Sequence, residues 1–218
     1  MTLWCYIKCL FKNPGILSEL DILRESITDY DAGVGATVDI CKKCFLKKIR
    51  RSHHCSICNK CIIKMDHHCL WINNCVGLYN QKFFILLTFY AFLMCCNCSV
   101  IIIYKIATCI NTQPRVKSPK CLLPKKDIIL IIVNTIISII FGMFNFVMLV
   151  DQYYAIKTNT TGIEILKKIK RPSKPFKESL IEVFGHPFSY LWFFPIDGDI
   201  LTNNFVMKEK LDFEKKTT

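Results

Sequence analysis

Apolar residues gather in two long runs, Phe83 to Ile110 and Ile128 to Val150, while the flanking segments are basic and polar. A helix needs about 20 residues to cross a hydrocarbon core of roughly 30 Å, and each run is long enough. The second run, IILIIVNTIISIIFGMFNFVMLV, carries no charge, and its Asn134 and Asn145 suit hydrogen bonding to a neighbouring helix. Within the first, Tyr104 and Lys105 suit an interfacial anchor with a snorkelling ammonium. The opening MTLWCYIKCLF is apolar and aromatic but too short to cross, so it reads as the tail of a span or an interfacial helix. Neither run is N-terminal, so no cleaved signal peptide is expected. The pattern predicts a mainly α membrane protein with spans at 83–110 and 128–150, a connecting loop at 111–127, an N-terminal segment at 1–40 and a tail at 151–218.

Composition agrees: 52% of the 218 residues are apolar, high for a soluble chain. Fourteen cysteines could suggest a disulfide framework, yet seven crowd into Cys41 to Cys75 with C-x-x-C pairs, which is metal spacing. The short 111–127 connection puts the cysteine-rich segment, 41–82, and the tail on one side of the membrane. Thiolate ligands and a free thiol suit the reducing cytosol, so that side is expected to be cytosolic and the connection lumenal. Arg115, Lys117, Lys120, Lys125 and Lys126 in the connection make charge a poorer guide. The net charge of +12 suits anionic lipid or a phosphate-rich ligand. A nucleic-acid-binding finger shares that charge, but two adjacent spans exclude nucleic acid as the expected partner.

From Cys41 the sequence reads CKKCFLKKIRRSHHCSICNKCIIKMDHHCLWINNCVG. A C-x-x-C gap brings two sulfurs to one ion at about 2.3 Å, and eight ligands would fill two tetrahedral zinc sites. The segment has few large apolar residues for a core of its own, and structural zinc supplies about 10–16 kcal/mol per site. Seven cysteines with one histidine, or six with two, would both fill the sites, and spacing alone does not choose. Asp66, His67 and Cys69 form an acid, imidazole and thiol set of the kind that activates a nucleophile. Zinc and nearby basic residues such as Lys64 are expected to lower the Cys69 pKa. Alternatively, Asp66 supports a ligating histidine.

The order C-x2-C-x9-HC-x2-C-x2-C-x4-DHHC-x-W-x-x-N-C-x-G, over Cys41 to Gly77, resembles the cysteine-rich domain of DHHC-type protein S-acyltransferases. The resemblance implies a cytosolic two-zinc domain of short β-hairpins and loops between the second and third of four spans. One zinc would take Cys41, Cys44, His54 and Cys61, the other Cys55, Cys58, His68 and Cys75. Cys69 would be left as nucleophile, with His67 as base, Asp66 as its orienter and His53 as a polar neighbour. Asn13-Pro14-Gly15 is similar to the family's turn after the second span, so the first two spans are expected to be lacking here. Thr161-Gly162-Ile163-Glu164 and the later VFGHPF resemble the Golgi-associated branch. Ser179 stands where many members carry Asn, and Leu70 where many carry Pro.

The activity so implied is transfer of a fatty acyl group from acyl-CoA, such as palmitoyl-CoA, to cysteines of membrane-associated proteins, through a Cys69 thioester. The chain would be a multi-pass Golgi or other endomembrane protein. Met94, about 15 Å into the first run at 1.5 Å per residue, is a candidate gauge of acyl-chain depth. Lys47, Lys48, Arg50 and Arg51 could meet CoA phosphates or anionic lipid. Cys5 and Cys9 are candidates for self-acylation. The competing reading is a membrane-tethered zinc adaptor in which most cysteines ligate metal.

Overall fold

A computed structural model describes residues 1–18, 40–49, 51–111, 125–169, 171–185 and 188–197. Most of the 111–127 connection, Arg50, His186, Pro187 and the end of the tail lie outside them. The described chain forms two units, one of Met1–Leu86 with the residues from Gln152 onward, the other of Leu87–Asp151.

In the first unit, α1 (Thr2–Phe11) buries Cys5 and Cys9 on one face while Leu3, Ile7 and Phe11 are exposed, as the i to i+4 spacing dictates. The two sulfurs expected to accept an acyl group are therefore turned inward. After α1, the Asn13 side-chain oxygen accepts N–H groups of Gly15 and Ile16 at 2.9 and 2.8 Å. Gly15 has φ of +107°, which favours glycine. The chain then pairs with the next hairpin, Leu17 N–H donating to Cys61 O and Ile63 N–H to Gly15 O, both at 2.8 Å.

That hairpin joins β1 (Ser52–Cys55) and β2 (Lys60–Ile63), with His54 opposite Cys61. A second joins β3 (His67–Cys69) and β4 (Asn74–Val76), with His68 opposite Cys75 and Cys69 opposite Asn74. Successive strand residues face opposite ways. Accordingly Cys61 and Ile63 pack with Leu17, Cys41, Ile49 and Leu78, while Ile62 packs with Cys55, Met65 and Cys75. Each small core thus contains cysteines of one cluster, and neither is large enough to hold the region alone.

Two long helices follow, α2 (Gln81–Asn111) and α3 (Lys125–Thr158). Their apolar stretches, Gln81–Thr108 and Ile128–Thr158, are each long enough to cross a membrane, and most of each is left unburied by the protein. Helices of a soluble core would bury such surface, so these call for a bilayer. In the second unit, Phe92 and Phe146 meet at 5.6 Å between ring centroids. A Cβ on Gly142 would come within 3.3 Å of Cys95 Cβ, a close approach that glycine permits. The expected mainly α membrane protein with a small hairpin region is borne out. Helix α3 runs past the apolar run, which ends at Val150, and carries Gln152 into the first unit. Two short helices complete that unit, α4 (Gly162–Leu166) and α5 (Phe176–Phe184).

Candidate active site and metal centres

Each hairpin supplies a facing His–Cys pair, and a C-x-x-C turn closes each pair into a four-donor cluster. The sulfurs of Cys41, Cys44 and Cys61 lie 3.6, 3.1 and 3.9 Å from His54 Nδ1, and Cys44 and Cys61 are 3.8 Å apart. In the second cluster, Cys55, Cys58 and Cys75 lie 3.7, 3.3 and 3.5 Å from His68 Nδ1, with Cys58 and Cys75 3.5 Å apart. Zinc bonds of about 2.3 Å to sulfur and 2.0 Å to nitrogen set tetrahedral donors about 3.5–3.8 Å apart. Each set of three thiol sulfurs and one imidazole nitrogen therefore fits zinc in both identity and spacing, and the cysteines of both clusters are free of disulfides. These two clusters could each hold a metal ion.

The clusters repeat. Cys55, Cys58, His68 and Cys75 each lie fourteen residues after Cys41, Cys44, His54 and Cys61. A third step of fourteen reaches Cys69 and Ile72, with Lys82 and Phe89 where the histidine and last cysteine would fall. Local geometry repeats with it. Cys58 N–H donates to Cys55 Sγ at 3.4 Å, and the backbone N–H groups two and three residues on act to lower the pKa of Cys41 (Lys43, Cys44), of Cys55 (Ile57, Cys58) and of Cys69 (Trp71, Ile72). The residue after each turn has positive φ: Phe45 at 58°, Asn59 at 52° and Asn73 at 44°. Cys69 thus sits in a metal-knuckle turn whose other ligand positions are not thiol or imidazole. Spacing alone could have revealed this repeat, and sequence reasoning missed it.

What surrounds Cys69 instead is a hydrogen-bonded set. Asp66 Oδ2 meets His67 Nδ1 at 2.9 Å, Gly162 N–H donates to Asp66 Oδ1 at 2.5 Å, and Gln152 Nε2 donates to Oδ2 at 2.7 Å. Burial would raise the Asp66 pKa, but His67 and these donors bring it below the ordinary value. Burial would lower His67, but its bonds to Asp66 and Cys69 raise it to about 9. Burial would raise Cys69, but His67 and the N–H groups of Ile72 and Trp71 lower it. The pair is thereby biased toward thiolate and imidazolium. Leu70 and Trp71 beside it are exposed.

Residues 36–169, more than half of the chain, match the family described as DHHC palmitoyltransferase. The chain belongs to that family. It is 36% identical over 199 residues to Palmitoyltransferase ZDHHC3 of Rattus norvegicus, covering 89% of this chain and 65% of the relative. It is 33% identical over 201 residues to Palmitoyltransferase ZDHHC7 of Mus musculus, covering 91% and 64%. A segment of 64 residues is 61% identical to Palmitoyltransferase ZDHHC16 of Mus musculus, covering 29% and 18%. The chain thus spans somewhat less than two thirds of the length of the first two.

In this DHHC-family chain several contacts link the cysteine-rich region to the segment after α3. Glu164 is fully buried and takes Arg51 at 3.0 and 2.8 Å, Arg171 at 2.7 Å and Thr161 N–H at 2.9 Å. Burial alone would raise its pKa, but Arg51 above all brings it to about 2. Lys64 does not serve Cys69 as expected: it is buried against Glu182 at 2.6 Å. Arg51 likewise is buried rather than presented to phosphate, and Lys167 Nζ lies 3.2 Å from His53 Nδ1. Asp66 faces His67, not the metal-type His68. Met94 lies half-exposed on α2, in the other unit. Sequence reasoning missed Gln152, Arg51 as a partner of Glu164, and the Lys64–Glu182 pair, because nothing local in the sequence signals contacts across 86 to 118 residues.

Proposed function

We propose that this chain carries the catalytic region of a protein S-palmitoyltransferase that moves a fatty acyl group from acyl-CoA to cysteines of membrane-associated proteins. The observation that carries this reading is one cysteine, Cys69, in a turn like those of two metal-type cysteines yet two residues from His67 on one strand and outside both four-donor clusters. In this reading Cys41, Cys44, His54 and Cys61 hold one Zn2+, and Cys55, Cys58, His68 and Cys75 the other. Zinc, when bound, supplies folding energy and a fixed frame for the hairpins.

The reaction is two thioester exchanges. Cys69 thiolate attacks the acyl carbonyl of acyl-CoA, the bond to the CoA sulfur breaks, and His67 gives its proton to the departing thiolate. A substrate cysteine then yields its proton to His67 and attacks the Cys69 thioester, releasing Cys69 as thiolate. Asp66 keeps the imidazole oriented through both steps. The acyl chain lies along the apolar helices, gaining about 0.8 kcal/mol per buried methylene, with Met94 as depth gauge. Helices α2 and α3 cross the membrane once each, with the cysteine-rich region and tail on the cytosolic side. The Thr161-Gly162-Ile163-Glu164 variant points by resemblance to a Golgi membrane.

Labelled palmitoyl-CoA, offered to the zinc-loaded chain under reducing conditions, tests this. Wild type is expected to take a hydroxylamine-labile label, Cys69→Ser none, and His67→Ala very little. A label that persists in Cys69→Ser, or its absence from wild type, contradicts the reading.

A further inference from the structure

The Asp66 carboxylate is reached from a direction that the acid, imidazole and thiol set does not require. Gln81, the first residue of α2, and Gln152, near the end of α3, are both buried. Gln81 Nε2 donates to Gln152 Oε1 at 3.1 Å, and Gln152 Nε2 donates to Asp66 Oδ2 at 2.7 Å. This oxygen is also the one that meets His67 Nδ1, at 2.9 Å.

The sense of this relay is dictated chemically. An ionised carboxylate only accepts, so Gln152 must turn its NH2 group to Asp66, leaving its oxygen pointing away. That oxygen then needs a donor, and the Gln81 NH2 group provides it. Reversing either amide would set oxygen against oxygen in a buried place, where an unmade bond costs most. With Gln152 on one side of Oδ2 and Gly162 N–H on Oδ1, the carboxylate plane is held at both oxygens. Rotation of Asp66 would swing the acceptor away from Nδ1, and the imidazole would lose the orientation that this bond gives it.

We infer that Gln152, oriented by Gln81, is a positioning residue that fixes the Asp66 carboxylate and through it the His67–Cys69 pair, coupling the ends of both apolar helices to the nucleophile. As a role in acyl transfer this rests on the function proposed above; as a statement about the reactivity of Cys69 it does not.

Two variants separate positioning from packing. Gln152→Glu keeps size and shape and can still accept from Gln81, but sets a second carboxylate against Asp66. Gln152→Leu keeps most of the volume and removes the bond without repulsion. Positioning predicts that Gln152→Glu is the worse of the two, whereas a purely structural role predicts that it is the milder. In the zinc-loaded full chain, the rate of acyl-enzyme formation at saturating palmitoyl-CoA is expected to fall about tenfold in Gln152→Leu and further in Gln152→Glu. That size follows from losing one hydrogen bond to a charged group, with KM and zinc content unchanged. Gln81→Leu is expected to fall less. Alkylation of Cys69 by iodoacetamide, followed by mass spectrometry, should show the same order without any acyl donor. If wild type takes no acyl label but the alkylation order holds, the transferase reading fails and the positioning role stands. If Gln152→Glu alkylates and acylates as wild type, or its loss lies in KM or zinc content, the positioning role is overturned.

Discussion

The turns that begin at Cys41 and Cys55 and the turn that begins at Cys69 are alike in two respects: backbone N–H groups two and three residues on act to lower the leading sulfur's pKa, and the residue after the turn has positive φ. They differ in what completes them. The first two gain a second cysteine, a histidine and a third cysteine, whereas the third has Ile72 in the second-cysteine position and draws on His67 instead. A turn suited to presenting sulfur to a cation also stabilises a thiolate with no cation, because the same N–H dipoles point at the sulfur in either case. What a metal would otherwise fix must then be fixed by hydrogen bonds. Here these come from Gly162 and Gln152, far along the chain.

The largest effect should come from breaking a metal-type turn. Cys58→Ser or Cys44→Ser is expected to remove one zinc of two and about 10 kcal/mol of folding energy, so that little folded protein accumulates. Cys69→Ser should keep both metals and the wild-type melting temperature. Metal analysis with thermal melting reads both, and loss of zinc from Cys69→Ser would erase the distinction between the turns.

A smaller effect should follow from unfastening the segment that holds Asp66. Glu164→Ala leaves the Arg51 guanidinium buried without its main carboxylate, a change that typically costs about 3–5 kcal/mol, while zinc content stays at two. The same ion pair sets an acid limit. Because the folded Glu164 pKa is lowered to about 2 from an ordinary 4.5, its contribution is complete above about 4.5 and is lost as pH falls toward 2. Denaturant titration across that window should show wild type losing more stability than Glu164→Gln.

Gly162→Ala probes the contact at Asp66 more gently. An added Cβ would stand 3.2 Å from Asp66 Oδ1 and 3.3 Å from its carbonyl oxygen. Displacing the carboxylate by a few tenths of an ångström should cost about 1–3 kcal/mol and slow acylation without changing zinc content. The smallest change in stability should be Ile72→Val, about 0.5–1.5 kcal/mol. Ile72→Cys, which restores the second thiol of the knuckle, should raise zinc content above two and suppress labelling of Cys69.

The two long apolar helices were legible because a membrane-crossing segment demands uninterrupted apolar length, and Phe83 to Val150 supplies it twice. The hairpins were foreshadowed by spacing and resemblance, since C-x-x-C turns and paired His and Cys residues constrain the backbone over a few residues. The repeat of fourteen was also open to view in the positions of Cys41, Cys55 and Cys69, although its third copy lacks the thiol and imidazole partners that mark the first two. Gln152 was not legible: a glutamine just past an apolar run reads as the helix's return to water, and only tertiary structure brings it to Asp66. Lys64 misled for the same reason, since closeness in sequence to Cys69 says nothing of the buried Glu182 that takes its ammonium.

In the reading proposed for this site, one cysteine of the seven between 41 and 75, Cys69, stays free of metal while sharing their turn. Thiol footprinting of the zinc-loaded chain tests this most directly, using iodoacetamide under reducing conditions with metal counted before and after. A single alkylated residue is expected in that segment, Cys69, with both zinc ions retained. Protection of Cys69, or release of zinc as it reacts, would contradict it.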